Sequence, residues 1–149
     1  MILTTTQKLT GAKQTGQVMH LFVRKFFNDM APYASMSLPE IYEKIKRLPF
    51  RHDPRGIELV KRPMFTMQQI GAGGDCDDKS VALASWAVLN GIPYRFIAVG
   101  RKKPNKRKIL LSHVFPQLYI YGSWLSADPT YAFNQLGTVQ GDYDRVEVL

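Results

Sequence analysis

An α+β fold is expected for this chain of 149 residues, and three observations lead to it. Helical periodicity dominates the first 90 residues, strand-like runs occupy the rest, and a two-residue turn at Gly122-Ser123 sets two of those runs antiparallel. The length suits one domain with a sizeable core. Hydrophobic residues are 45% and charged residues 21%, values that exclude collagen-like, low-complexity and wholly disordered chains. No run approaches the roughly 18 apolar residues of a membrane span, so no membrane association is expected. Met1-Ile2-Leu3 and the three threonines that follow have neither a basic region nor an apolar region of a secretory signal. The lone Cys76 rules out an internal disulfide and fits a reducing compartment such as a cytoplasm.

Residues 1–16 are polar, rich in Thr, Gln and Gly and without periodicity, and are read as an arm ahead of a single domain over 17–149. From Gln17, the residues Val18, Leu21, Phe22, Val23, Phe26, Phe27 and Met30 recur at helical spacing, which predicts an amphipathic helix. Ser37-Leu38-Pro39-Glu40 has the spacing of a capping box and opens a second helix with Leu38, Ile41, Ile45 and Leu48 inward. The stretch 50–69 is read as irregular because Pro54, Gly56 and Pro63 interrupt it. Gly71-Ala72-Gly73-Gly74 then breaks the chain before a third helix that begins at Asp75-Cys76-Asp77-Asp78 and stops at Gly91. Its body, Val81 to Leu89, is apolar nearly all round, so this helix belongs inside the domain. Strands are expected over Tyr94–Val99, Ile109–Tyr121, Trp124–Ala127 and Val146–Leu149, with a turn at Gly122-Ser123.

The net charge of +8 is concentrated in one place. Arg101, Lys102, Lys103, Lys106, Arg107 and Lys108 crowd the first long connection between strands, and without them the chain holds 14 basic residues against 12 acidic. A single basic loop favours a local anionic partner or solubility over a duplex-binding face. Nucleic-acid binding through this loop would be expected to weaken steeply with salt.

Cys76 stands at the first turn of the buried helix, where unpaired N–H groups and the helix dipole favour thiolate. A lone cysteine is most often a small core residue, but Asp75, Asp77 and Asp78 around it argue against an apolar role. Their charges oppose thiolate, so their side chains are expected to point away from sulfur. Three histidines are available as a base. His20 reads as packed within the first helix and His52 as a solvated turn residue. His113 opens an apolar strand, where a polar imidazole must be hydrogen-bonded or there for chemistry. Asp128, before Pro129, is the candidate to orient that ring, against the simpler reading of a turn initiator. With a Gly122-Ser123 turn, paired residues sum to about 245, which leaves His113 and Asp128 diagonal and requires a bend near Pro129.

Taken together, Gly74-Asp75-Cys76-Asp77-Asp78-Lys79, Asn90-Gly91-Ile92-Pro93, His113-Val114, Tyr121-Gly122-Ser123-Trp124 and Asp128-Pro129-Thr130 resemble the transglutaminase-like core, which has the papain-like thiol fold. The resemblance covers about residues 60–137. It implies an N-terminal set of helices with the cysteine-bearing helix packed on an antiparallel sheet. It further implies Cys76 as nucleophile, His113 as base, Asp128 as orienter and Trp124 as a tryptophan packed beneath them. Attack of the thiol on an amide or ester carbonyl gives an oxyanion and then an acyl-enzyme. The Cys76 N–H and a side chain from Gln68 or Gln69 are the oxyanion candidates.

The expectation is therefore a cysteine-dependent acyl transfer, foremost peptide or amide hydrolysis on a protein or peptide substrate, with no cofactor. A crosslinking reaction with a lysine amine as acceptor is the alternative. Small cores of this kind with a polar arm and a basic loop also look similar to transglutaminase-like proteins of phages and prophages. That setting would place the chain in the host cytoplasm or the virion, its arm on other phage structural proteins, without a need for activity. The acidic group beside Cys76 lacks the regular oxygen-ligand loop of an EF-hand, so no metal is expected; Asp77 and Asp78 are read as charges suited to a helix N-terminus.

Overall fold

A computed structural model describes residues 11–139 and 141–149 of the chain. Residues 1–10, most of the expected arm, lie outside the described residues. Five helical elements precede four strands: α1 (Ala12–Phe26), a 3₁₀ segment (Phe27–Tyr33), α2 (Leu38–Lys46), α3 (Pro63–Met67) and α4 (Cys76–Leu89), then β1 (Tyr94–Gly100), β2 (His113–Ile120), β3 (Ser123–Ser126) and β4 (Arg145–Val148). The class is α+β, as expected. The strands form one antiparallel sheet in the order β3-β2-β1-β4.

α4 is the centre of the molecule. From Asp77 to Ala87 every residue is buried, as an all-round apolar sequence requires. On one side Leu83, Trp86 and Ala87 pack with Ile41, Tyr42 and Ile45 of α2, Met30 of the 3₁₀ segment and Leu118 of β2. On the other, Val81 and Ala84 meet Met19 and Val23 of α1 and Phe96 and Val114 of the sheet. Helices on both sides of α4 thus share the core that fixes its N-terminus against β2.

Local signals account for several boundaries. The capping box at Ser37 is present: Glu40 N–H donates to Ser37 Oγ at 3.3 Å and Ser37 N–H donates to Glu40 Oε1 at 3.2 Å. Gly73, at φ +100°, passes so close to Pro49 that an added Cβ would lie 2.1 Å from its carbonyl oxygen. An added Cβ at Gly74 would meet the Asp78 side chain at 2.5 Å. The glycine approach to α4 is therefore fixed by close packing as well as by turn geometry.

Elsewhere the structure departs from the sequence reading. α1 begins at Ala12, so residues 12–16, expected in the arm, are helical; its last expected turn is 3₁₀, running into Pro32. The 50–69 stretch contains α3, which starts at Pro63 because proline suits the first helical turn. The β2–β3 turn is centred on Tyr121-Gly122, both at positive φ (50° and 81°), and Ile120 pairs with Ser123. Paired numbers sum to 243, not 245. Such a tight two-residue turn matches the twist of the strands. Trp124 is not a core residue: it lies on the edge strand, 36% exposed, in contact with Tyr119 and beneath the Arg95 guanidinium at 4.3 Å.

Candidate functional site

α4 delivers Cys76 as its first residue, β2 delivers His113 as its first residue, and the chain leaving β3 delivers Asp128. His113 Nε2 and Asp128 Oδ2 are 2.6 Å apart. The other oxygen, Oδ1, accepts from Thr130 N–H at 3.0 Å and Thr130 Oγ1 at 2.6 Å. The Asp128 backbone carbonyl accepts from Tyr42 hydroxyl at 2.8 Å and Asn134 Nδ2 at 3.2 Å. Asp128 is buried and held at three points. Since the carboxylate takes Nε2–H, Nδ1 is left as the imidazole nitrogen with a lone pair.

Cys76 and His113 line one cavity of about 220 Å³. Gly11, Ala12 and Thr15 at the start of α1, Glu58, Ser112 and Leu149 close its other walls. β3 ends at Ser126, but Ala127 N–H still donates to Pro116 O at 3.0 Å, so the register carries on to the residue before Asp128. The chain bends at Thr130, beside Pro129, where the sequence reading needed a bend.

The thiol is not set up as a resting thiolate. Burial pushes the Cys76 thiol well up, Asp75 adds to it, and Asp128 and Asp78 act in the same direction; only a hydrogen bond from the Val114 backbone opposes them. The expected preference for thiolate from the helix terminus is thus outweighed by desolvation and carboxylates. A thiol that keeps its proton can attack only where a base takes that proton as attack occurs.

The acidic residues divide into two kinds. Asp78 accepts from Asp75 N–H at 3.1 Å and Lys61 N–H at 2.7 Å, and so closes the start of α4. Asp77, read from sequence as a charge suited to the helix N-terminus, is 1% exposed, with neither carboxylate oxygen given a hydrogen-bond donor. One oxygen from each of Asp53, Asp75 and Asp77 falls within 4.8 Å of the others. Burial first, and neighbouring carboxylates next, push Asp77 well above the usual carboxylate range; Asp53 is pushed up to about 6, mainly by burial. Among the described residues this is the group able to hold a metal, and its all-oxygen donor set suits a hard cation rather than zinc.

Other candidates fall outside the cavity. Gln68 and Gln69 are exposed at the end of α3, where Gly73 N–H turns the chain back onto Thr66 O at 2.8 Å, and neither lines the cavity. The Cys76 N–H, on the first residue of α4, belongs to the helix end whose N–H groups have no intrahelical acceptor. His20 is packed, with Nδ1 2.9 Å from the Tyr94 hydroxyl and Nε2 3.1 Å from Leu149 O. His52 is exposed and lies edge-on to Phe50. Arg101, Lys102, Lys103, Lys106, Arg107 and Lys108 are all exposed on the β1–β2 connection, whose last residues, Leu111 and Ser112, reach the cavity wall. The sequence reading missed Tyr131, which stacks on His113 with ring centres 6.1 Å apart and on Phe133 at 5.2 Å. Its position directly after Asp128-Pro129-Thr130 is the only signal that could have placed it.

Two solved structures are similar to this chain. One, from Cytophaga hutchinsonii and proposed to be a cysteine protease, aligns over 94% of this chain and 53% of its own, at TM-score 0.45 and 14% identity. The chain therefore spans about half the length of that protein. The other, Legionella pneumophila LapG, aligns over 87% of this chain and 77% of its own, at TM-score 0.45 and 16% identity. No family model matches the chain, and no curated protein matches it in sequence. Among the described residues no helix is long and apolar enough to cross a membrane.

Proposed function

We propose that the chain is a cysteine-dependent acyl-transfer domain of transglutaminase-like type, acting foremost as a peptide or amide hydrolase. The observation that carries the reading is the 2.6 Å contact between a buried, fully partnered Asp128 and Nε2 of His113, which lines the same cavity as Cys76. In this reading Asp128 holds the ring so that Nδ1 accepts the Cys76 proton while sulfur attacks the carbonyl carbon. The resulting oxyanion takes the Cys76 N–H. Collapse returns the proton from Nδ1 to the leaving amine and leaves an acyl-thioester, which water, deprotonated by the same nitrogen, hydrolyses. An amine entering in place of water would give the crosslinking variant.

The test is acylation by p-nitrophenyl acetate, read as an acetyl adduct on Cys76 by intact mass. With a single cysteine the assignment is direct. The wild type should acylate faster than its own unfolded thiol, and His113→Ala should slow the folded protein by about 10²-fold or more. Acylation no faster than the unfolded thiol, or unchanged in His113→Ala, would remove the enzymatic reading and leave a non-enzymatic adaptor, such as a phage structural protein, that merely retains the arrangement.

A further inference from the structure

Lys79 is a buried ammonium that the reaction above does not use. It is 1% exposed and lies three residues after Cys76 on α4, so the two side chains project from neighbouring points of one helix face. A charge buried to this degree must be compensated. Its Nζ donates to Leu48 O at 2.7 Å, Thr130 O at 3.0 Å and Lys46 O at 3.3 Å. Two of these carbonyls belong to the C-terminal end of α2 and the residues just past it, where unpaired carbonyls and the helix dipole both favour a cation. The third belongs to Thr130, whose N–H and hydroxyl hold Asp128 Oδ1.

One ammonium thereby joins three pieces of chain: the end of α2, the helix that carries Cys76, and the turn that carries Asp128. The fourth support, Tyr42 of α2, reaches the Asp128 carbonyl directly. The Asp128 carboxylate is the opposite charge that acts on this ammonium, and the attraction between the two is mutual. Lys46, the other lysine in this region, is engaged elsewhere, with its Nζ on Asn134 O and Glu43.

We infer that Lys79 is a positioning residue for the His113–Asp128 pair: its buried ammonium fixes the Asp128–Thr130 turn against the helix that bears Cys76 and supplies the counter-charge for Asp128. The inference rests on the acyl-transfer reading for its consequence in rate, and on geometry alone for its hold on the pair. It separates Lys79 from an ordinary buried strut, because a strut would lower stability without passing through Asp128.

The experiment is a double-mutant cycle on Cys76 acylation, with Lys79→Met and Asp128→Asn alone and together. Lys79→Met alone should slow acylation about tenfold, and should add less than about twofold once Asp128→Asn is present. Slowing that multiplies fully in the double variant would overturn the inference, as would an unchanged rate in folded Lys79→Met. Lys79→Gln, which keeps donors and removes charge, serves as the second variant should Lys79→Met fail to fold. A readout that needs no reaction is the His113 Nε2–H proton by NMR, in wild type and in folded Lys79→Gln. Exchange of this proton with water should be at least about tenfold faster in Lys79→Gln, and an unchanged rate would overturn the inference. If wild-type acylation proves independent of His113, the functional reading falls while this NMR comparison still decides the role of Lys79.

Discussion

Two groups of carboxylates flank the same cysteine, and they are built in opposite ways. Both carboxylate oxygens of Asp128 are met, by His113 on one and by Thr130 twice on the other, while Lys79 donates to the Thr130 carbonyl behind the turn. Asp77 is more deeply buried than Asp128 and has no donor on either oxygen, with Asp53 and Asp75 as its nearest polar neighbours. A satisfied buried carboxylate fixes geometry, whereas an unsatisfied one opposes folding whenever it is charged. Burial above all, then Asp75 from one group and Asp128 from the other, with Asp78, act against the thiolate, which is why the helix terminus fails to make it one.

The largest effect that can break this comparison is on rate. Asp128→Asn should lower Cys76 acylation by about 10²–10⁴-fold, because the amide cannot hold the imidazole tautomer that leaves Nδ1 free. A loss below threefold would place Asp128 among structural residues. Next comes stability at the crowded end. Gly74→Ala should cost about 2 kcal/mol in chemical denaturation, since its Cβ meets Asp78 at 2.5 Å. A neutral outcome would mean that the approach to α4 relaxes.

A smaller effect, of opposite sign, is expected from Asp77→Asn. Removing a buried charge without donors should raise stability at pH 7.5 by about 1 kcal/mol, with the gain shrinking as pH falls. Destabilisation at pH 7.5 would show that Asp77 is matched by a partner in solution. The smallest effect concerns pH. Asp53 is raised from the ordinary carboxyl value of 3.8 to about 6, so the folded state holds this proton more tightly than the unfolded chain. Its contribution to stability is complete below the ordinary value and is lost as pH rises through about 6. In chelator, so that protons alone can neutralise the group, the melting temperature should fall between pH 4 and 7.5. Asp53→Asn should flatten that fall by under about 1 kcal/mol, given the partial exposure of the side chain.

How much of this was visible in the sequence varies from element to element. The capping box at Ser37 and the all-round apolar α4 were legible because each is a local pattern with one structural solution. The pairing of β2 with β3 was misplaced because a strand reading expects the turn to start at glycine, whereas Tyr121 itself adopts positive φ. His113 and Asp128 could be picked out as a pair through motif spacing, but not their contact, which depends on how the chain bends after Ser126. The fate of Asp77 was hidden, since first-turn carboxylates normally face water and its neighbour Asp53 comes from a distant loop. Lys79 was hidden for a related reason: a lysine after three aspartates reads as a surface residue, and the three carbonyls that bury it come from distant segments.

The complete burial of α4 has a consequence for how the site can be lost. A nucleophile on an exposed helix end can fray away from its partners while the domain stays folded. Cys76 begins a helix whose every residue from Asp77 to Ala87 is enclosed, so the hydrogen-bonded amides of its body should exchange with deuterium only through global unfolding. The connection at 101–108, exposed along its length, should exchange at once. Loss of amide protection along the body of α4 in low denaturant would then serve as a clock for opening of the whole domain.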